Sequence, residues 1–132
     1  MKAVILAGGE GSRLKPLTCD LPKAMVPLAG ISFIERYIAY LHSYGIDEII
    51  LATGSNPQLI RRFLDGGKRM GVRIVYSSEK YPLGTAGAVR NAAEHIKGRF
   101  LVSNGDVLLN IDLREMLKQH NQKGAMVTIG LT

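Results

Sequence analysis

The chain has 132 residues, of which 46% are hydrophobic and 21% are charged. These values are ordinary for one globular domain with its own core, and no apolar run approaches the roughly 20 residues that cross a bilayer. The apolar stretch after Lys2 is shorter than the roughly 7–15-residue core of a signal peptide, so we expect a cytoplasmic protein. The single cysteine, Cys19, fits a reducing compartment.

The formal net charge is +6, and a basic balance is compatible with nucleic-acid binding. The lysines and arginines are scattered, however, without a long basic block and without interleaved aromatic side chains. This spacing is more typical of solvated helix faces together with a few ligands for a small anion. We therefore expect neither nucleic acid nor a membrane as a partner.

Strand and helix patterns alternate along the chain. Short apolar runs predict five buried strands, at 3–7, 48–53, 72–76, 100–103 and 125–130. Between them, Ser32 and Glu35 have the spacing of a capping box for the first helix, the second is predicted to start at Asn56–Pro57, and Asp112 can cap the last. The third helix is expected to face the core with Ala86, Val89, Ala93 and Ile96.

This alternation predicts an α/β fold, Rossmann-like, with a mostly parallel sheet and helices on both faces. Ligands of such sheets lie beyond the carboxyl ends of the strands. Turn-rich segments follow the first, third and fourth predicted strands at that end. We expect these segments to converge in space although they are far apart in sequence.

The first turn-rich segment has three glycines within four positions, at 8, 9 and 11. Glycine lets the backbone approach a ligand, and a row of exposed N–H groups suits a phosphate chain. Arg13 and Lys23 add two cations, so residues 6–27 are predicted to hold a nucleoside triphosphate. The loop is neither a dinucleotide fingerprint, because Pro16 precedes any helix, nor a Walker A loop. A plain glycine-rich turn is the alternative.

Asp106 follows the fourth predicted strand, directly after Asn104 and Gly105. Mg²⁺ prefers one or two carboxylates together with phosphate oxygens, so Asp106 is a candidate metal ligand. The alternative is a simple turn residue, since Asn-Gly is a common turn dipeptide. Asp112 is explained as a helix cap and is not assigned to the metal. The predicted cofactor is therefore Mg²⁺.

Four motifs occur in the order Gly9-x-Gly11-Ser12-Arg13-Leu14-x-Pro16-Leu17-Thr18, Pro22-Lys23-x-Met25-x-Pro27, Leu83-Gly84-Thr85-Ala86-Gly87 and Asn104-Gly105-Asp106. Together they resemble the sugar-1-phosphate nucleotidyltransferase family, and most of all its mannose-1-phosphate guanylyltransferases (GDP-mannose pyrophosphorylases). The resemblance covers the whole chain. Family catalytic domains continue well beyond this length, so the resemblance implies that 1–132 is the nucleotide-binding part of a nucleotidyltransferase domain. The sugar pocket and a second metal-binding aspartate are then expected to be missing.

The resemblance implies that a nucleoside triphosphate and a sugar 1-phosphate give a nucleoside diphosphate sugar and pyrophosphate, by in-line attack at the α-phosphorus. By this likeness three residues are catalytic: Arg13 neutralises the β and γ phosphates, Lys23 the α-phosphate, and Asp106 holds Mg²⁺. The nucleotide is expected to contact these three and also Leu6, Ala7, Gly8, Gly9, Gly11, Ser12, Glu79, Leu83, Gly84, Thr85, Asn104 and Gly105.

The same resemblance puts Glu79 at the edge of the base. A carboxylate only accepts hydrogen bonds, and guanine offers two adjacent donors, whereas thymine and uracil offer one donor flanked by acceptors. Glu79 therefore favours GTP, and the likeness favours mannose 1-phosphate as the second substrate. Adenine and cytosine, which carry an amino donor, are not excluded. The alternative is a solvated glutamate paired with Lys80.

A different hypothesis is a non-catalytic nucleotide-binding or partner-binding module that lacks the sugar domain. The presence of Arg13, Lys23 and Asp106 argues against it, because a pure binder has little need for all three. The chain is expected to bind GTP weakly and to turn over poorly by itself. The sequence leaves a homo-oligomer open.

Overall fold

A computed structural model describes residues 1–9, 11–54 and 57–131. The strands in these ranges are β1 (Lys2–Ala7), β2 (Pro27–Leu28), β3 (Ile31–Ser32), β4 (Glu48–Thr53), β5 (Arg73–Ser78) and β6 (Phe100–Asn104). The α-helices are α1 (Phe33–Ser43), α2 (Gln58–Leu64), α3 (Gly84–Asn91) and α4 (Leu113–Gln122). The predicted helix start at Asn56 lies outside the described residues, and in the described part none of the helices is long and apolar enough to cross a bilayer.

The main sheet has four parallel strands in the order β5-β4-β1-β6. β1 lies inside the sheet, where Lys2 pairs with Glu48 of β4 and with Phe100 of β6. Because parallel neighbours require crossover connections, helices cover the sheet between consecutive strands. The predicted α/β fold with a mostly parallel sheet is confirmed.

Apolar residues of β1 alternate between two cores, one on each face of the sheet. Ala3 and Ile5 pack in a large core together with buried residues of α1, α2 and α4. Val4, on the opposite face, packs in a smaller core with Ala88 and Ala92 of α3 and its C-terminal end. Successive side chains of a strand point to opposite faces, so the uninterrupted apolar run Ala3–Ala7 of β1 is what a sheet covered on both sides needs.

Two predicted helix caps are present in the structure. The Ser32 side chain accepts a hydrogen bond from the backbone N–H of Glu35 (3.3 Å), and the Glu35 carboxylate accepts one from the Ser32 N–H (3.3 Å). Asp112 accepts hydrogen bonds from the N–H groups of Arg114 (2.8 Å) and Glu115 (3.2 Å) at the start of α4. Each cap satisfies N–H groups that the helix itself leaves unpaired.

The structure also contains a small antiparallel hairpin that the sequence patterns did not predict, formed by β2 and β3. Its two-residue turn, Ala29 and Gly30, has positive φ angles of 50° and 79°, which suits the twist of paired strands. Arg36 on α1 donates a hydrogen bond to the Leu28 carbonyl (2.6 Å). The hairpin connects the segment around Lys23 to α1.

Two predictions about the second half of the chain are wrong. The predicted strand at 125–130 is not a strand in the described residues: this segment follows α4, and Thr128 is hydrogen-bonded to His120 (2.9 Å). Its side chains at Met126 and Val127 are 98% and 76% exposed. For the third helix, the predicted inward residues Ala86 and Ala93 are exposed, whereas Val89 and Ile96 are half-buried. The residues that meet the sheet are Ala88 on α3 and Ala92 directly after the helix.

Candidate active site

The three turn-rich segments meet around one cavity of about 380 Å³ beyond the carboxyl ends of β1, β5 and β6. Their predicted convergence is thus observed in the structure. The cavity is lined by Leu6, Ala7, Gly8, Gly9, Lys23, Ala24, Glu79, Pro82, Gly84, Thr85, Ala88, Asn104, Gly105 and Asp106. Its size is within the range of small-molecule sites, which runs from roughly 300 to 1,000 Å³.

Close backbone packing positions the glycines at the floor of the cavity. A Cβ atom on Gly8 would lie 3.2 Å from the backbone N of Gly54, and one on Gly105 would lie 3.0 Å from Ile5 Cγ2. The Gly105 N–H also donates a hydrogen bond to the Leu6 carbonyl (2.9 Å). This bond holds the end of β6 beside the end of β1, so that Asp106 stands next to the glycine loop.

Lys23 reaches the cavity from a short 3-10 helix, Lys23–Met25, that is anchored in the core. Ala24 and Met25 are 4% and 8% exposed, and the Met25 N–H donates to the Pro22 carbonyl (2.8 Å). These contacts fix the backbone of Lys23 while its side chain stays one third exposed. The result is a flexible ammonium group on a rigid support.

Lys23 Nζ and Asp106 Oδ2 form an ion pair across the cavity. The Asp106 side chain is 29% exposed, and Asp106 is the second residue after the end of β6. The pair joins two segments that are far apart in sequence, and it brings together two of the three predicted catalytic residues. The carboxylate that is expected to meet a metal ion is therefore neutralised by a neighbouring ammonium group.

Glu79 lies on the opposite side of the cavity, just after β5. Its backbone N–H donates to the Thr53 carbonyl (3.0 Å), and its Oε2 accepts a hydrogen bond from the Leu83 N–H (3.0 Å). Among the described residues it forms no ion pair with Lys80. Glu79 is thus held in place through one carboxylate oxygen, which leaves Oε1 to accept hydrogen bonds from a ligand.

The start of α3 forms the rest of this side of the cavity. Gly84 has a positive φ of 69°, and a Cβ atom added to it would meet nothing within 4 Å, so the backbone conformation rather than the available space favours glycine here. A Cβ atom on Gly87 would lie 2.6 Å from Leu83 Cβ. Glycine at position 87 therefore leaves room for Leu83, which does not line the cavity.

Four predicted nucleotide contacts do not line the cavity: Gly11, Ser12, Arg13 and Leu83. Arg13 lies on an exposed 3-10 helix, Ser12–Leu14. That helix is fixed by Gly11, whose carbonyl accepts hydrogen bonds from Thr18 Oγ1 (2.7 Å) and the Leu14 N–H (2.8 Å). The cavity also includes three residues that the motifs did not single out, Ala24, Pro82 and Ala88.

Asp106 fits a magnesium site of the kind in which the ligand supplies most of the oxygens. The described residues contain no cluster of three or more His, Cys, Asp or Glu side chains that could hold a metal by themselves. Mg²⁺ is commonly bound by one or two carboxylates plus substrate phosphates and water, and Asp106 beside a cavity lined by backbone glycines supplies one such carboxylate.

Known proteins are similar to this chain in sequence and in fold. The family described as "Nucleotidyl transferase" matches residues 2–132. Mannose-1-phosphate guanylyltransferase of Mycobacterium tuberculosis is 38% identical over 98% of this chain and 36% of the relative. D-glycero-alpha-D-manno-heptose 1-phosphate guanylyltransferase of Aneurinibacillus thermoaerophilus is 38% identical over 99% of this chain and 57% of the relative.

Among solved structures, HddC from Yersinia pseudotuberculosis complexed with GMP-PN is similar with a TM-score of 0.81 and 34% identity, over 90% of this chain and 53% of that one. The chain thus spans roughly one third to three fifths of the length of these relatives. The family match covers nearly every residue, and the chain has a parallel sheet with a cavity at the carboxyl ends of its strands. The chain belongs to the nucleotidyl transferase family.

Proposed function

We propose that this chain is the nucleotide-binding part of an enzyme that transfers a nucleotidyl group from a nucleoside triphosphate to a sugar 1-phosphate. GTP is the favoured nucleotide and mannose 1-phosphate the favoured acceptor. The observation that carries the proposal is that the glycine loop, Lys23 and Asp106 border one cavity. These groups are the ones that a triphosphate and its metal require.

In the proposed reaction, a phosphate oxygen of the sugar 1-phosphate attacks the α-phosphorus. A new P–O bond forms, the bond to the β-phosphate oxygen breaks, and pyrophosphate leaves with the bonding electrons. The backbone N–H groups around Gly8 and Gly9 bind the triphosphate, Lys23 compensates charge at the α-phosphate, and Arg13 meets the β and γ phosphates. The attacking oxygen is already anionic at neutral pH, so none of these residues needs to remove a proton from it.

Asp106 would hold Mg²⁺ in this site. When bound, the metal supplies Lewis acidity to the phosphate oxygens. The chain's own contribution is positioning and charge neutralisation, which is where catalysis of phosphoryl and nucleotidyl transfer chiefly resides.

Glu79 supports GTP as the nucleotide. Its position on the cavity, and an Oε1 that accepts no hydrogen bond from the part of the chain that the structure describes, suit a base edge that presents hydrogen-bond donors, as guanine does. Both curated relatives named above are guanylyltransferases, and the similar HddC structure is a complex with GMP-PN. A carboxylate opposite uracil or thymine would face acceptors on both sides of the single donor.

The names of the relatives also support an acceptor with the manno configuration. One relative is named for mannose 1-phosphate and the other for a manno-heptose 1-phosphate. We propose mannose 1-phosphate for this protein, with the heptose 1-phosphate as the competitor to be tested. A reaction that consumes a nucleoside triphosphate is expected to run in the cytoplasm.

A pyrophosphate-release assay tests the proposal. GTP, ATP, UTP and CTP are each combined with mannose 1-phosphate, manno-heptose 1-phosphate and glucose 1-phosphate, with Mg²⁺ present. We expect the highest rate with GTP and mannose 1-phosphate, and a low absolute rate for this chain alone. Release that is independent of the sugar phosphate would contradict the proposal.

The alternative, a nucleotide-binding module without transfer activity, is favoured by one observation. The chain spans only 36% and 57% of the length of the two guanylyltransferases named above. Tight GTP binding without pyrophosphate release from any combination would establish this alternative.

A further inference from the structure

We propose that Lys23 controls metal binding at Asp106: without a triphosphate its ammonium group keeps divalent cations away, and triphosphate binding releases the carboxylate. Metal and nucleotide then bind cooperatively, each increasing the affinity for the other. The inference rests on the proposed function for the identity of the nucleotide. Its metal half is tested without any nucleotide.

The geometry of the ion pair is the first support. Lys23 Nζ contacts Asp106 Oδ2 directly, and both side chains are about one third exposed. A divalent cation that approaches Asp106 meets an ammonium group at the position where it would bind. It must displace that group or share the carboxylate with it, and both raise the free energy of binding.

The second support is the small number of other ligands. The described residues supply no group of three or more side chains that could hold a metal without Asp106. A single carboxylate binds Mg²⁺ weakly because the ion gives up its water reluctantly. Because Lys23 compensates the negative charge of that one carboxylate, it removes most of the electrostatic attraction between the metal and the cavity.

A bound triphosphate changes this balance. Its phosphate oxygens attract the Lys23 ammonium group, and they add ligands for a metal beside the freed Asp106 carboxylate. By thermodynamic linkage, a nucleotide that increases metal affinity is itself bound more tightly in the presence of the metal, by the same factor.

Lys23 can make this movement because only its side chain needs to move. The backbone is held by buried Ala24 and Met25, whereas the four-carbon side chain is flexible and has three donors that rotate freely. The exchange of Asp106 for a phosphate oxygen requires no rearrangement of the fold.

Mn²⁺ binding tests the proposal, because the ion can be counted by electron paramagnetic resonance as a substitute for Mg²⁺. In the absence of nucleotide, we expect Lys23→Met to increase Mn²⁺ affinity about tenfold over the unchanged chain, within the usual range of coupling between sites. Lys23→Gln serves the same purpose with a polar side chain. Lys23→Arg keeps the charge and is expected to bind Mn²⁺ as weakly as the unchanged chain.

Two control variants test whether the change in Mn²⁺ affinity arises at Lys23 and Asp106. Lys15→Met removes an exposed lysine of the same loop and is expected to leave Mn²⁺ affinity unchanged. The double variant Lys23→Met/Asp106→Asn is expected to lose the gained site, because the carboxylate that forms it is absent. Circular dichroism melting curves identify which variants are folded.

The second measurement is GTP affinity by calorimetry with and without Mn²⁺. The unchanged chain is expected to bind GTP more tightly when Mn²⁺ is present, and this difference is expected to shrink in Lys23→Met. Equal Mn²⁺ affinities for the unchanged chain and for folded Lys23→Met and Lys23→Gln would overturn the proposal. Failure to bind GTP would overturn the proposed function, whereas the Mn²⁺ titrations would still decide whether Lys23 excludes the metal.

Discussion

The two sides of the cavity are held by different forces. One side, which we call the phosphate wall, consists of Gly8, Gly9, Lys23 and Asp106. The other, the base wall, consists of Glu79, Pro82, Gly84 and Thr85.

The phosphate wall is fixed by close packing. Gly105 is buried directly before Asp106, Ala24 is buried directly after Lys23, and an ion pair joins the two charged side chains. Neither charged group can shift its backbone without disturbing the core. Interiors are densely packed, so the backbones of Lys23 and Asp106 are rigid where the proposed reaction needs defined distances.

The base wall is fixed mainly by individual hydrogen bonds near the surface. Glu79 accepts one from the Leu83 N–H (3.0 Å), and Asn91 on α3 donates one to Ser77 Oγ (2.8 Å). Gly84 and Thr85 are exposed. The comparison indicates that the chemistry of the site depends on the core, whereas base selection depends on a few exchangeable surface contacts.

The largest effect is expected at the phosphate wall, from Asp106→Asn. The amide keeps the size of the side chain but loses the charge that attracts the metal, so the rate of pyrophosphate release should fall about 10³-fold. Asp47→Asn is the matched control, since Asp47 is exposed and forms only a surface pair with His42 (2.6 Å). A rate for Asp106→Asn close to that of the control would show that the metal is held elsewhere.

Lys23→Met should reduce the same rate by about 10²-fold, as expected for the loss of one positioned charge at the reacting phosphate. Lys15→Met, in the same loop but exposed, should retain the rate. A stronger loss of GTP affinity than of rate in Lys23→Met would instead place Lys23 among the groups that bind the ground state.

At the base wall, Glu79→Gln should reduce GTP affinity about tenfold and raise the affinity for UTP relative to GTP, since an amide offers both a donor and an acceptor. Its oxygen can still accept the hydrogen bond from the Leu83 N–H, so the melting temperature should not change. Glu94→Gln, which lies on an exposed site after α3, is the control. Unchanged nucleotide selectivity together with a lower melting temperature would reduce Glu79 to a structural role.

The smallest effect is expected from Arg13→Gln. Because Arg13 is exposed and does not line the cavity, the KM for GTP should rise only about two- to fivefold, as for an exposed charge pair. The effect should shrink further at high salt. Arg62→Gln on α2 is the control. If Arg13→Gln reduced the rate of pyrophosphate release as strongly as Lys23→Met, the Ser12–Leu14 helix would have to close onto the ligand. Arg13 would then belong to the phosphate wall together with Lys23.

Local sequence patterns correctly predicted those elements that depend on contacts between residues close in sequence or on many apolar contacts. The apolar β1 and the capping box of Ser32 and Glu35 are present in the structure. The alternation of strands and helices also sufficed to predict that three distant turns would meet, because parallel strands place their carboxyl ends at one edge of a sheet.

The predictions are wrong in two situations. In one, neighbouring residues are too similar in hydrophobicity to show which of them are buried; in the other, a strand forms only if it can pair with a segment far away in the sequence. Positions 86, 88, 92 and 93 are all alanine, so hydrophobicity could not show which of them face the sheet. Residues 125–130 have strand-forming side chains, but β propensity expresses how well a residue fits a paired, half-buried surface. That segment has no such pairing in the described structure.

The arrangement of the site was only partly predictable. Glycine spacing indicated a phosphate loop, but the sequence could not show that Lys23 would meet Asp106 while Arg13 would remain outside the cavity. Nor could it show that Glu79 would use one oxygen for the Leu83 N–H. These contacts depend on side-chain directions that are set only when the sheet has formed.

The position of β1 in the sheet has a consequence for the order in which the protein is made. β1 leaves the ribosome before its partners β4 and β6, so Lys2 can pair with Glu48 only after β4 has been made and with Phe100 only after β6 has been made. Pairings between segments so far apart in sequence form slowly, because a long loop must close before they contribute. The wall that contains Asp106 is completed only when β6 is available. A nucleotide present at that moment would bind only the finished sheet and would therefore act as a folding ligand.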